Sequence, residues 1–269
     1  MERLPNTVMF TIATAGFVPF VHNLFASLEP LGLADHLTVF TLDDEAHSVL
    51  SAAGLNCRRS GSQRLAGWTD YLSSGYGQTM AFKYSIALDI LTEGRKAWYV
   101  DADIVFLRDP TAYLQTLLHE FAADLLMQSE SPKNVFNGGF WLATPAPAVV
   151  GAFTDTLAAL QDPSLNDDQN YLNARLSQSP DLKVVGLDPD LFACGNRFNS
   201  SRYGPFDYSA AYLLHFNYIV GKKAKALAMA RHNAVFYPGL LADCREPTGM
   251  LTRAWRRGFQ RLGGRRSGR

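Results

Sequence analysis

Asp101 and Asp103 stand one residue apart in the stretch 98–110, WYVDADIVFLRDP. The apolar run AWYV leads into them, and the apolar tetrad IVFL follows. A carboxylate at the end of a buried strand is costly unless it is paired, hydrogen-bonded or bound to a metal. Two carboxylates this close also repel each other, which raises one pKa. A divalent cation removes both difficulties. Hard cations such as Mg²⁺ or Mn²⁺ take carboxylate oxygens and keep positions open for substrate phosphates. Metal binding is therefore the expectation for Asp101 and Asp103, with a solvated turn as the competing reading. Asp109 reads as a helix N-cap with Pro110 at the first helical position, and carries no catalytic role.

Other residues could join this chemistry. His215 ends the apolar run AYLLHF, and a neutral imidazole can complete a carboxylate site for Mn²⁺. A histidine at a strand end also serves structurally. Lys222 and Lys225 share one face of a helix starting near Gly221, whose N-terminus suits an anion. The alternative is a solvated basic face. Asp168 and Gln169 open a helix in DDQNYLN, where capping alone would explain an aspartate. Lys83 sits on a helix among apolar neighbours, and reads equally as a snorkelling surface lysine or as a group reaching a ligand.

Short apolar strands alternating with longer helical patterns must position these groups. Strands are expected at 7–14, 36–42, AWYV, ADLLMQ, GGFWLAT, KVVGL and AYLLHF. Helices are expected at 17–28, after Asp43 as N-cap, at 78–94 up to Gly94, after Pro110, at 146–160, at 168–177 and at 221–231. This order predicts an α/β fold: a mixed, mostly parallel Rossmann-like sheet flanked by helices. Ligands of such sheets gather at the carboxyl ends of strands. Thr11 to Thr14, Asp43, the DAD triplet and His215 all fall at such ends. The economical division is one domain over 1–245 and a basic tail over 246–269.

Four ordered blocks, YVDADIVFLRDP, FNGGFWLATP, DDQNYLN and LHFNYIVGKKAKAL, resemble those of nucleotide-diphospho-sugar transferases. These are GT-A-fold glycosyltransferases related to the glycogenin-like and plant xylosyl- and galactosyltransferase groups. The resemblance spans roughly 7–230. It implies metal-dependent transfer of a sugar from a nucleotide donor, UDP-linked by expectation, to an acceptor hydroxyl, usually with retention. It implies Mn²⁺ or Mg²⁺ on Asp101, Asp103 and His215, with Asp101 and Ala102 close to the donor. Lys222 and Lys225 would neutralise the diphosphate. Asp168 and Gln169 would lie near the anomeric carbon. Asn137 and Gly138 of FNGGF would supply an amide and a close backbone approach to the sugar. Thr11, Ala13, Thr14 and Asp43 would contact base and ribose, and Lys83 would reach the donor. A carbohydrate, a lipid-linked sugar or a protein remain as acceptors. The chain departs from the family in lacking a tryptophan in AMARHNAVF, after the lysines.

The bulk properties fit this reading. The 269 residues have an ordinary apolar content of 47%, enough for a sizeable core. The three cysteines form no CxxC pair and no even framework, which suits a reducing compartment. The N-terminal apolar run lacks a cleavage site and is short of the ~20 residues that span a bilayer. A cytoplasmic protein is the expectation. Net charge is zero, but the last 20 residues hold seven Arg and no acid. The tail reads either as solvated chain or as a basic amphipathic segment on an anionic inner membrane face. The acidic body and the absence of a binding motif argue against nucleic acid. Two readings compete with the transferase. A nucleotidylyltransferase would need a basic Gly-rich loop, which TIATAGFVPF is not. A non-catalytic nucleotide-sugar or carbohydrate-binding protein would not need a full set of metal ligands. No GxGxxG follows a strand, which disfavours a dehydrogenase.

Overall fold

The strand Thr7–Ala13 (β1) turns Met9 and Ala13 to one face and Phe10 and Ile12 to the other. A strand buried on both faces reads as a continuous apolar run, and helices must cover each side. The computed structural model describes residues 4–60, 68–69, 75–131, 135–162, 167–200 and 203–244. After β1 come α1 (Val18–Leu28), β2 (Leu37–Thr41), α2 (Asp44–Ala52), β3 (Cys57–Arg59), α3 (Tyr76–Thr92) and β4 (Lys96–Val100). Then follow β5 (Ile104–Phe106), α4 (Thr111–Glu120), β6 (Leu125–Ser131), β7 (Val135–Ala143), α5 (Pro147–Ala159) and α6 (Asp168–Ser177). The described chain ends with β8 (Val184–Leu187), β9 (Phe192–Cys194), α7 (Gly195–Asn199), β10 (Leu213–His215), α8 (Lys222–Arg231) and α9 (Leu240–Asp243).

The main sheet has the order β3-β2-β1-β4-β7-β6-β8. It is parallel except where β7 runs against β4 and β6. From β1 the chain moves outward through β2 and β3, then returns to place β4 on the other side of β1. The crevice between the carboxyl ends of β1 and β4 is thus the topological switch point. Antiparallel β7 enters the sheet at that same edge, because its register sets Phe140 opposite Val100. One face of the sheet packs Trp98, Val100, Phe140 and Leu142 against Phe20, Leu24 and Leu28 of α1. The other packs Tyr99 and Trp141 with Tyr84 of α3 and Phe153 of α5.

The sequence reading placed AYLLHF in the main sheet. Instead β10 lies in a second sheet, β5-β10-β9, with His215 opposite Ile104. The three-residue β5 and β9 were legible only as apolar runs, because their pairing is long-range. Asp109 sits one residue before the N-cap, which is Pro110, and accepts from Thr111 N at 2.9 Å and Thr111 Oγ1 at 2.7 Å. Asp43 is the N-cap of α2, accepting from Ala46 N at 2.7 Å. Gly94, at φ 74°, stops α3 as expected. Cys57, Cys194 and Cys244 are free thiols. Among the described residues no helix is long and apolar enough to cross a membrane. The Arg-rich tail lies outside the described residues.

Buried Asn23 of α1 ties the C-terminal segment to this frame. Its amide donates to Ala234 O at 3.0 Å and accepts from Phe236 N and Tyr237 N at 2.7 and 3.0 Å. Removing one partner leaves buried backbone groups unsatisfied, at about 1–3 kcal/mol for each. Asn23→Ala is expected to lower the urea midpoint by the equivalent of about 3 kcal/mol with an unchanged slope.

Candidate active site

Asp101 follows the last residue of β4, and its N–H donates to Gly139 O of β7 at 2.7 Å. A Cβ on Gly139 would come within 2.2 Å of Asp101 Oδ2 and 2.5 Å of His215 Cε1, so only glycine fits beneath the site. The turn after Asp101 places Asp103, whose carbonyl accepts from Phe216 N of the second sheet. β10 then delivers His215. Its Nε2 stands 3.2 Å from Asp103 Oδ1 and 3.5 Å from Asp101 Oδ2. One ligand atom from each residue lies within 4.8 Å of the others.

The orientation of the imidazole is fixed from behind. Gln128 Nε2 donates to Phe192 O at 3.0 Å, which turns Gln128 Oε1 toward His215 Nδ1 at 2.8 Å. Nδ1 therefore carries the proton in that bond, and Nε2 faces the carboxylates. This is the arrangement of a histidine that ligates a metal through one nitrogen and is held through the other. Tyr99 Oη donates to Asp101 Oδ1 at 2.6 Å, and Lys225 Nζ forms an ion pair with Asp103 Oδ2. The oxygen-and-imidazole donor set fits a cation of the Mn²⁺ or Mg²⁺ type.

The charged groups of the site shift one another's protonation. Burial alone would lower the His215 pKa, but Asp103 and Asp101 hold it up at about 9. Burial pushes both carboxyls up. Asp101 nonetheless ends below the usual range through its hydrogen bond to His215, and Asp103 further below through Lys225 and His215.

A second polar network forms the floor. Lys83 is 2% exposed, not a snorkelling surface group, and its Nζ meets Asp168 Oδ2 at 2.5 Å. It also donates to Gly138 O at 3.1 Å. Tyr84 Oη donates to the same Asp168 oxygen at 3.0 Å, and Tyr76 Oη approaches Oδ1 at 3.4 Å. Asp167, not Asp168, caps α6 by accepting from Asn170 N at 3.0 Å. Gln169 Oε1 accepts from Gly138 N at 3.1 Å and Asn137 Nδ2 at 3.0 Å. Asn137 also donates to Glu130 Oε1 at 2.6 Å, and Glu130 Oε2 accepts from Tyr218 Oη at 2.5 Å.

One cavity of about 300 Å³ gathers these groups. Of the residues singled out in the sequence, Ala13, Thr14, Lys83, Asp101, Ala102, Asp103, Asn137, Gly138, Asp168, Gln169, His215 and Lys225 line it. Three others lie outside the lining. Thr11 is fully buried within the sheet. Asp43 spends its carboxylate on Ala46 N and on Ala15 N at 2.8 Å, fixing the turn after β1 from outside the cavity. Lys222 opens α8 beyond the cavity wall. Sequence reasoning missed Gln128, Glu130, Tyr76, Trp68 and Tyr218. Gln128 and Glu130 carried a signal, being polar residues two apart at the end of an apolar strand. Trp68 stacks on Phe17 at 4.3 Å, and both line the end of the cavity nearest Thr14.

A profile of nucleotide-diphospho-sugar transferases matches residues 32–229. The chain belongs to this family. The transferase has the GT-A fold. The galactosyltransferase LgtC, solved with donor and acceptor sugar analogues, superimposes with a TM-score of 0.57 at 12% identity, over 93% of this chain and 99% of LgtC. GlyE of Streptococcus pneumoniae TIGR4 gives 0.53 at 15% identity, over 79% of this chain and 54% of GlyE. The bifunctional glycosyltransferase WbbM gives 0.57 at 10% identity, over 90% of this chain and 52% of WbbM. The chain thus spans about half the length of the latter two. Among curated protein sequences nothing matches. The chain is a glycosyltransferase of the nucleotide-diphospho-sugar type.

Two outcomes follow for the transferase without metal. Lys83→Met strands a buried carboxylate and is expected to cost about 3–5 kcal/mol. Pairing it with Asp168→Leu should recover much of that loss in a double-mutant cycle. The His215 pKa is raised from 6.5 to about 9 on folding. Its contribution is therefore fully present below pH 6.5 and lost as pH rises through 9, on the order of 3 kcal/mol. Urea midpoints in EDTA should fall between pH 6 and 9.5 more for the native chain than for His215→Gln.

Proposed function

We propose that the transferase is metal-dependent and moves a sugar from a UDP-linked donor to an acceptor hydroxyl with retention. The observation that carries this reading is the Asp101–Asp103–His215 cluster at the switch point, with Gln128 fixing the histidine. Mn²⁺ or Mg²⁺ held there would supply Lewis-acid neutralisation of the donor diphosphate.

The remaining steps belong to side chains of the chain itself. Phe17 and Trp68 offer a stacked apolar wall to the base, with Thr14 beside it. Lys225 adds positive charge where the leaving phosphate develops its own. Gln169 and Asn137 present amide groups over the sugar, and Gly138 lets the backbone approach it. Asp168 orients the floor and is not the nucleophile. Lys83, Tyr84 and Tyr76 already occupy its oxygens, and freeing one would break a buried ion pair. Retention then proceeds by front-face attack. The acceptor oxygen bonds to the anomeric carbon, the bond to the phosphate oxygen breaks, and the leaving phosphate takes the acceptor proton. Glu130, held by Asn137 and Tyr218, lines the side from which the acceptor would enter.

Isothermal calorimetry against nucleoside diphosphates and nucleotide sugars, with Mn²⁺ and with EDTA, tests the donor and the metal together. Tight binding of UDP and UDP-sugars that vanishes in EDTA is expected. Asp101→Asn and Asp103→Asn should each lower UDP release from the donor by at least ~100-fold while circular dichroism stays native, as loss of a charge-stabilising group predicts. Full activity of either variant would sink the reading.

A further inference from the structure

The transferase is strongly polarised in charge. Residues 208–244 carry four basic side chains, Lys222, Lys223, Lys225 and Arg231, and one acidic, Asp243, whereas residues 1–207 carry 13 basic and 23 acidic ones. From Tyr208 to Ala242 there is no Asp or Glu at all. Large apolar side chains are exposed in the same region. Among the described residues, Tyr218 is 60% exposed and Val220 69%, and Tyr203, Tyr208 and Leu227 are exposed as well. Contiguous exposed apolar side chains in a soluble domain mark a contact surface.

Helix geometry joins the two properties. Lys223, Leu227 and Arg231 recur at four-residue spacing on the outer side of α8, all three exposed, with Val220 one step before. Leu227 and Arg231 line an open groove of about 430 Å³ between α7 and α8. Tyr218 and Ile219 border both this groove and the donor cavity. Lys225 points the other way, into the cavity. α8 therefore presents an apolar stripe edged by cations at the rim of the active site.

We infer that this outer face of α8, with Tyr218 and Val220, docks on an anionic lipid bilayer. Each basic side chain near such a surface adds about 1 kcal/mol, and apolar side chains inserted among headgroups add burial. The chain beyond Cys244 does not suit the role of cover. It is itself arginine-rich, and like charge opposes its packing on Lys223 and Arg231. Docked in this way, the cavity rim meets the headgroup layer, so an acceptor hydroxyl is delivered from the lipid surface.

Vesicle flotation of the full chain tests the inference, using phosphatidylcholine alone and a 7:3 mixture with phosphatidylglycerol. Binding to the mixture, little to the neutral vesicles, and release in high salt are expected. Leu227→Ser, and separately Lys223→Glu with Arg231→Glu, should each weaken partitioning by about tenfold or more. None of these three residues lines the donor cavity. Donor binding by calorimetry should stay native, which certifies the fold and separates this inference from the reading of the active site. Native partitioning of both variants would overturn it, leaving the arginine tail as the sole anchor. No binding by the native chain would also overturn it, in favour of an acidic protein partner.

Discussion

The mutual repulsion of Asp101 and Asp103 is the constraint around which the rest of the site is built. Two unit charges about 4 Å apart interact by about 4 kcal/mol at the effective dielectric of a protein surface. The fold does not relieve this by separating them. It brings His215 and Lys225 against them from a second sheet and a following helix. Each carboxylate is thereby held by opposite charge and hydrogen bonding rather than by distance.

The floor holds a second, more deeply buried pair of opposite charges. Lys83 and Asp168 are both nearly inaccessible, and their charges cancel within the protein. A buried pair of this kind contributes little net stability, since desolvation offsets attraction, but losing either partner is expensive. Its value lies in position. Lys83 from α3 grips Gly138 O of β7, while α6 supplies Asp168 and Gln169 to the same strand. Three elements distant in sequence are thereby locked around Gly138. This network sets the geometry of the floor beneath the carboxylates.

Much of this was legible in the sequence. β1, β4 and β7 announce themselves by largely apolar runs, and α3 by its apolar spacing and terminal glycine. The DAD triplet and His215 were legible because a polar group at the end of an apolar strand needs a reason. The second sheet was not legible, since β5 and β9 have three residues each and exist only through pairing with β10. Lys83 was ambiguous for a related reason. It lies on the same helical face as Met80 and Tyr84, which places it inward, but only the distant Asp168 makes inward burial tolerable. Thr11 and Asp43 show the converse difficulty, since neither lines the cavity. A polar residue at a strand end can serve the strand or the next helix, and local pattern does not separate these from ligand contacts.

The second sheet explains how one helix can serve both the carboxylate site and an outer surface. β10 runs antiparallel to β5, so the chain comes back to the DAD triplet from the opposite direction and leaves it immediately as α8. Between them, Tyr218 at φ 62° and Gly221 at φ 93° turn the chain sharply. A tyrosine in the left-handed region is strained, and its hydroxyl bond to Glu130 holds it there. The turn is therefore fixed to the rim by a side chain. On the helix that follows, different faces serve the cavity and the exterior. Lys225 reaches Asp103, while Lys223 and Leu227 face outward. The Lys225–Asp103 pair thus acts on the same element that carries the exposed face, with only residues 216–221 between that element and His215.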